Sequence, residues 1–194
     1  MRPRAIKILC WVMGFFLPLY GFSHHGFYVG GLMGFGSVDY SNYSFPTQRR
    51  STLIKDAGFA PAIQMGYDFT RITALEFGAI YFRKVVFYHL TPQNNARFKN
   101  NVAYLVSKIN FLHHATMHFF VKGGLGYVVR NAVIVDCAAV VSGGGILRPI
   151  YGAGVHWQLA THWDLEMTWL QAAKQVTTQL PFSNFLGLGV HYDF

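Results

Sequence analysis

The chain has 194 residues, of which 12% are charged and 17% aromatic, with 20 glycines and 16 lysines and arginines against 8 acids. That length holds one domain of ordinary size. So few charges beside so many aromatics, at a mean hydropathy of +0.25, exclude a disordered chain and an ordinary soluble domain, because part of this surface must face something other than water.

The formal charge of +8 is not a nucleic-acid footprint, because Arg2, Arg4 and Lys7 stand ahead of the apolar run Ile8 to Phe22. That run closes on Gly21-Phe22-Ser23, with small residues where a signal peptidase reads. Residues 1–23 are therefore expected to be a cleaved secretory signal peptide, leaving 24–194 as the exported domain. Pro18 interrupts the run, which falls short of the roughly 20 residues of a spanning helix. Cleavage removes Cys10 with the leader and leaves Cys137 alone, so no disulfide is expected within the exported chain.

Beyond the leader no stretch reaches 18 uninterrupted apolar residues, so the apolar surplus is not held in membrane helices. It alternates with a period of two, which is the signature of a strand. The first strand carries Phe27, Val29, Gly31, Met33 and Phe35 on one face. The second sets Phe59, Pro61, Ile63, Met65 and Tyr67 against Gly58, Ala60, Ala62, Gln64 and Gly66. The third sets Leu75, Phe77, Ala79 and Tyr81 against Ala74, Glu76, Gly78 and Ile80. Five more follow: Ala103 to Phe111, Met117 to Tyr127, Tyr151 to Trp157, Leu165 to Trp169, and Leu186 to Phe194.

The connections alternate between long, at about 37–56, 85–99, 131–146 and 173–183, and short, near 69–71, 113–115 and 159–162. A soluble sandwich has no reason to alternate in this way, whereas a transmembrane barrel places short turns in the periplasm and long loops outside. In hydrocarbon every backbone polar group must be paired internally, which leaves helices or closed barrels. The expected fold is all-β: an eight-stranded antiparallel up-and-down transmembrane barrel. Its girdles would draw on Phe27, Phe35, Tyr67, Tyr81, Phe111, Tyr127, Tyr151, Trp157, Trp169, Tyr192 and Phe194. Pro61 removes a ladder donor and is expected near the outer rim. The third long loop is apolar at Val133 to Val135 and Ala138 to Val141, a composition that can add strands above the membrane or contact a partner.

Gly26-Phe27-Tyr28-Val29-Gly30-Gly31, Met65-Gly66-Tyr67-Asp68 with Ala74-Leu75-Glu76-Phe77-Gly78, and the closing Leu186 to Phe194 resemble the small eight-stranded outer-membrane barrels related to the outer-membrane protein A (OmpA) transmembrane domain. The resemblance spans essentially the whole exported chain and implies a porin-family barrel at the cell surface of a Gram-negative-type envelope. It also implies that Val190, Tyr192 and Phe194 are the signal read by the outer-membrane assembly machinery. The chain stops at Phe194, so the peptidoglycan-binding domain of the namesake, and its cell-wall tethering, are not expected.

The polar parity places Gln64, Glu76, Lys108, His118, Lys122, His156, Asp164, Glu166 and His191 inside the barrel. An eight-stranded barrel is just wide enough for side chains to fill it. Glu76, Lys108, Lys122, His156, Asp164 and Glu166 are accordingly expected to form a paired lumen network. Through the resemblance, Glu76, Lys108 and Lys122 match charged lumen positions of the family, while His156 and Asp164 replace residues of different charge there.

No catalytic residue is expected. Ser107 is an outward strand serine with no outward histidine beside it, so a base-activated nucleophile lacks its base. His24-His25 and His113-His114 are adjacent pairs whose side chains would diverge on a strand, so no metal site or other cofactor is expected either. The long loops and strand ends carry Arg49, Arg50, Lys55, Arg83, Lys84, Arg97 and Lys99, an extracellular basic rim suited to lipopolysaccharide phosphates or anionic host polymers. The expected role is structural or adhesive at the outer membrane, in contact with its lipid, with lipopolysaccharide and with a possible host surface ligand. A narrow ion or small-solute channel is the alternative and a lipid A-modifying enzyme the remote one.

Overall fold

The computed structural model describes residues 26–39, 53–55, 57–88, 96–114, 116–131, 133–135, 138–141, 143–173 and 182–194. The expected leader 1–23, His24-His25, Arg49, Arg50 and Cys137 lie outside the described residues. In chain order the strands are β1 (Gly26–Asp39), β2 (Leu53–Lys55), β3 (Ala57–Asp68), β4 (Thr73–Tyr81), β5 (Val85–Tyr88), β6 (Ala96–Phe98), β7 (Asn100–His114), β8 (Met117–Arg130), β9 (Val133–Val135), β10 (Ala138–Val141), β11 (Gly144–Ala160), β12 (Trp163–Ala172) and β13 (Phe182–Asp193).

Eight of these close into an antiparallel barrel in the order β1-β13-β12-β11-β8-β7-β4-β3, with β3 paired back to β1. Every barrel strand is therefore flanked on both sides, and the sheet has no edge to expose to lipid. The short turn at 69–72 is held by the Thr70 hydroxyl, which accepts from the N–H groups of Ile72 (3.1 Å) and Thr73 (2.9 Å).

At the opposite, long-loop end a second sheet runs β10-β9-β6-β5-β2. It joins segments of the first three long loops, and its strands are rich in branched apolar residues such as Ile54, Val85, Val86 and Val133 to Val135. The added strands expected in the third loop are thus present as β9 and β10, tied to the second loop through the pairing of β9 with β6. Several barrel strands are longer than their alternation foretold, β11 most of all. β1 continues to Asp39, and β11 begins at Gly144 rather than near 151, because Gly144 to Ile150 pair residue by residue with Arg130 to Gly124 of β8.

Both strand prolines sit where a ladder has ended. Phe69 donates its N–H to Thr73 O, so the two-residue period turns the nitrogen of Pro61 toward β4 as well, and the β3–β4 pairs stop one residue short of it at Ala62. Pro149 likewise lies one residue outside the β11–β12 pairs, where its carbonyl accepts from Ala173 N–H. The missing donors therefore break no pair.

The barrel is inside-out in its apolar faces. Met33 and Phe35 are 69% and 73% exposed on the lipid side, while Glu76 and Glu166 are 0% exposed inside. Inward aromatic rings lie over inward glycines: Tyr28 over Gly66, Tyr104 over Gly78, Phe120 over Gly154 and His191 over Gly30. A Cβ at Gly66 would stand 2.3 Å from the Tyr28 ring, so the glycines are what let large side chains lie flat across so narrow a lumen.

Candidate functional site

The lumen has two parts. Toward the short-turn end lies a charge network at whose centre Lys122 Nζ stands 2.8 Å from both Glu76 Oε1 and Glu166 Oε1. Lys108 Nζ is 3.2 Å from Glu166 Oε2. Two lysines thus face two glutamates, none more than 3% exposed, and the formal charges cancel.

The remaining lone pairs are taken by neutral groups. Tyr28 donates to Glu76 Oε2 at 3.0 Å, and the Tyr104 hydroxyl lies 3.0 Å from Gln64 Oε1 and 3.2 Å from Glu76 Oε1. Gln64 Nε2 donates to Glu166 Oε1 at 3.3 Å and also contacts His191 Nε2. The Phe120 ring closes the group, with Lys108 Nζ 4.6 Å and Lys122 Nζ 4.9 Å from its centroid. Burial makes such a network costly to break, since removing one member strands another in low dielectric.

Above it, toward the long loops, the inward face changes character. Leu32, Val38, Ile80, Phe82, Val102, Val106, Val128, Ile150, Leu170 and Phe185 pack into one buried apolar cluster. Parity had marked the inner face as polar, and for half of the barrel that is a correction: inward Ile80 and Leu170 build an apolar layer. At the rim Arg148 and Arg130 turn inward and are buried, and Asn100 donates to the Ser183 hydroxyl at 2.8 Å.

The chain matches the OmpA-like transmembrane domain family over residues 23–194. It belongs to that family.

Solved structures agree with the fold. Neisserial surface protein A (NspA) is 18% identical, with a TM-score of 0.58 over 87% of this chain and 97% of that one. The N-terminal barrel of Pseudomonas aeruginosa OprF is 14% identical, with a TM-score of 0.56 over 86% and 97%. Ail of Yersinia pestis, solved in complex with the heparin analogue sucrose octasulfate, is 10% identical, with a TM-score of 0.54 over 88% and 99%. No curated protein matches in sequence. This member of the family is an eight-stranded outer-membrane barrel.

Of the nine residues that parity assigned to the lumen, Gln64, Glu76, Lys108, Lys122, Asp164, Glu166 and His191 are buried, and the structure joins Glu76, Lys108, Lys122 and Glu166 directly. His156 and Asp164 form a separate pair, Nε2 to Oδ2 3.4 Å, nearer the short-turn mouth. Tyr28 and Tyr104 were not singled out as network members, although their inward parity was the available signal. Their partnership with Glu76 depends on register across three strands.

Of the basic rim, Arg83, Lys84 and Lys99 are exposed at the long-loop end. Lys55 and Arg97 lie in β2 and β6 of the second sheet, and their side chains fall outside the described residues. The expected assembly residues line the outer wall of β13: Tyr192 packs edge-on to Phe194 (5.1 Å) and to Trp163 (5.0 Å), and Phe194 N–H donates to Phe27 O at 3.0 Å. Ser107 faces outward opposite Leu75 and Gly123. Neither partner offers a base.

Proposed function

We propose that this chain is a closed, non-conducting surface barrel: an outer-membrane anchor that holds its long-loop sheet and basic rim toward the exterior. The observation that carries the reading is the apolar layer of Leu32, Ile80, Val102, Val128, Ile150, Leu170 and Phe185 above a fully paired charge network. A hydrated ion crossing it would give up its water without meeting polar groups in exchange. The test is single-channel conductance of refolded protein whose gel mobility shifts on heating. Silence supports the reading, and reproducible open steps would replace it with a narrow channel.

The exposed cations Arg83, Lys84 and Lys99 suit an anionic polymer or the phosphates of lipopolysaccharide. Ail, of the same fold, has been solved with a sulfated heparin analogue, which makes sulfated sugars a rational first probe. Binding here would be electrostatic and should weaken steeply with salt. Delivery of this barrel would require leader cleavage, giving a mature N-terminus at His24, and recognition of Val190, Tyr192 and Phe194 by the assembly machinery. No catalysis is assigned, and lipid turnover abolished by Ser107→Ala would overturn that.

A further inference from the structure

The short-turn mouth of the lumen gathers two histidines beside Glu166 of the charge network. His156 on β11, Glu166 on β12 and His191 on β13 come from three consecutive barrel strands, and one donor atom from each lies within 4.8 Å of the others. Register brings them together: His156 is directly opposite Glu166, and His191 directly opposite Asp164. Asp164 Oδ2 is 3.4 Å from His156 Nε2, yet that nitrogen is buried without a hydrogen-bond partner.

We propose that this mouth binds one divalent transition-metal ion of the zinc class, through His156, Glu166 and His191, with the Asp164 carboxylate as a fourth ligand. Two imidazoles and carboxylate oxygens suit zinc, copper(II) or nickel(II), whereas calcium and magnesium take oxygen ligands almost alone. His191 Nε2 is in contact with the Gln64 amide nitrogen, and accepting from that amide fixes the tautomer with the lone pair on this atom, so a metal must displace the amide to use it. His156 and Asp164 keep 16% and 10% of their side chains exposed, which opens the site to the periplasm, while Glu166 and His191 form its closed floor.

Binding has a competitor built in. Lys108 Nζ holds Glu166 Oε2, the same oxygen that stands 3.5 Å from His191 Nε2. An incoming cation must displace that ammonium and draw the donors from 4.8 Å to the shorter spacing that metal–ligand bonds of about 2.0–2.2 Å require. The ion therefore binds against Lys108, and removal of the lysine should tighten binding where a merely structural lysine would not.

The test titrates zinc into the refolded, heat-modifiable barrel by calorimetry, with cobalt(II) absorption reporting the ligand field. The expected result is one equivalent bound, weakened about a hundredfold in His156→Ala and tightened about tenfold in Lys108→Met. His156 and Asp164 lie at the mouth outside the charge network, so His156→Ala and Asp164→Asn carry the test if Lys108→Met fails to fold. Absence of binding to folded protein overturns the proposal. Unchanged affinity in both mouth variants does so too, and moves any bound zinc away from this mouth.

Discussion

The two halves of the lumen solve the same problem with opposite chemistry. Both are sealed by side chains from all sides of one barrel, yet the short-turn half does so with four charges that cancel and the long-loop half with a cluster of Leu, Ile, Val and Phe. The charged half is specific but brittle, since each member is satisfied only while its partners are present. The apolar half has no directional bonds and tolerates exchange of one hydrophobic residue for another of similar volume. A barrel of eight strands is just wide enough for either filling.

The largest effect should come from Glu166→Gln, which leaves Lys108 and Lys122 to share Glu76 and should cost about 3–5 kcal/mol of unfolding free energy, read from a denaturant titration. Adding Lys108→Met removes one charge of each sign and should restore part of that loss; failure to do so would break the claim that charge balance governs this half. Leu170→Ala should cost about 2–5 kcal/mol through the cavity it leaves. If the apolar layer is the barrier, serine at both Ile80 and Leu170 should yield conductance steps that Glu166→Gln alone does not. Steps from the charged-half variant alone would invert the comparison.

Gly34→Ala tests the wall rather than the filling. Its Cβ would stand 2.1 Å from the Leu186 carbonyl oxygen, a backbone atom that cannot swing aside, and the expected loss is about 1–3 kcal/mol. The smallest change in stability should accompany the double replacement of Arg83 and Lys84 by alanine, within about 0.5 kcal/mol. The same variant should lower affinity for a sulfated polymer at low salt, measured by immobilised-ligand binding. Equal binding at all salt concentrations would remove the rim from the proposed contact.

Much of this could be read from alternation. Phe59 to Tyr67 against Gly58 to Gly66 marks a strand with two chemically distinct faces, and the recurrence of that pattern between long and short connections fixes strand number and polarity. The extension of β11 back to Gly144 was hidden because Gly144, Gly145 and Pro149 are residues that ordinarily interrupt strands, and pairing with β8 overrides that preference. The inward set was legible too, but not its partnerships. Glu76 and Lys122 are 46 residues apart and meet across the lumen, while His156, Glu166 and His191 converge through the registers of three strands.

The sequence by itself determined the class of protein. A leader-like start, a period of two and alternating loops demand a barrel, because hydrocarbon leaves a strand-forming chain no other way to pair its backbone. Only the tertiary structure decided which inward residues touch and where the lumen turns from charged to apolar. It also decided that three loops share one sheet and that a histidine–carboxylate cluster sits at the mouth. The reason is geometric. Alternation assigns each side chain to a face but carries no information on register or shear, and those two quantities set every contact across a closed barrel.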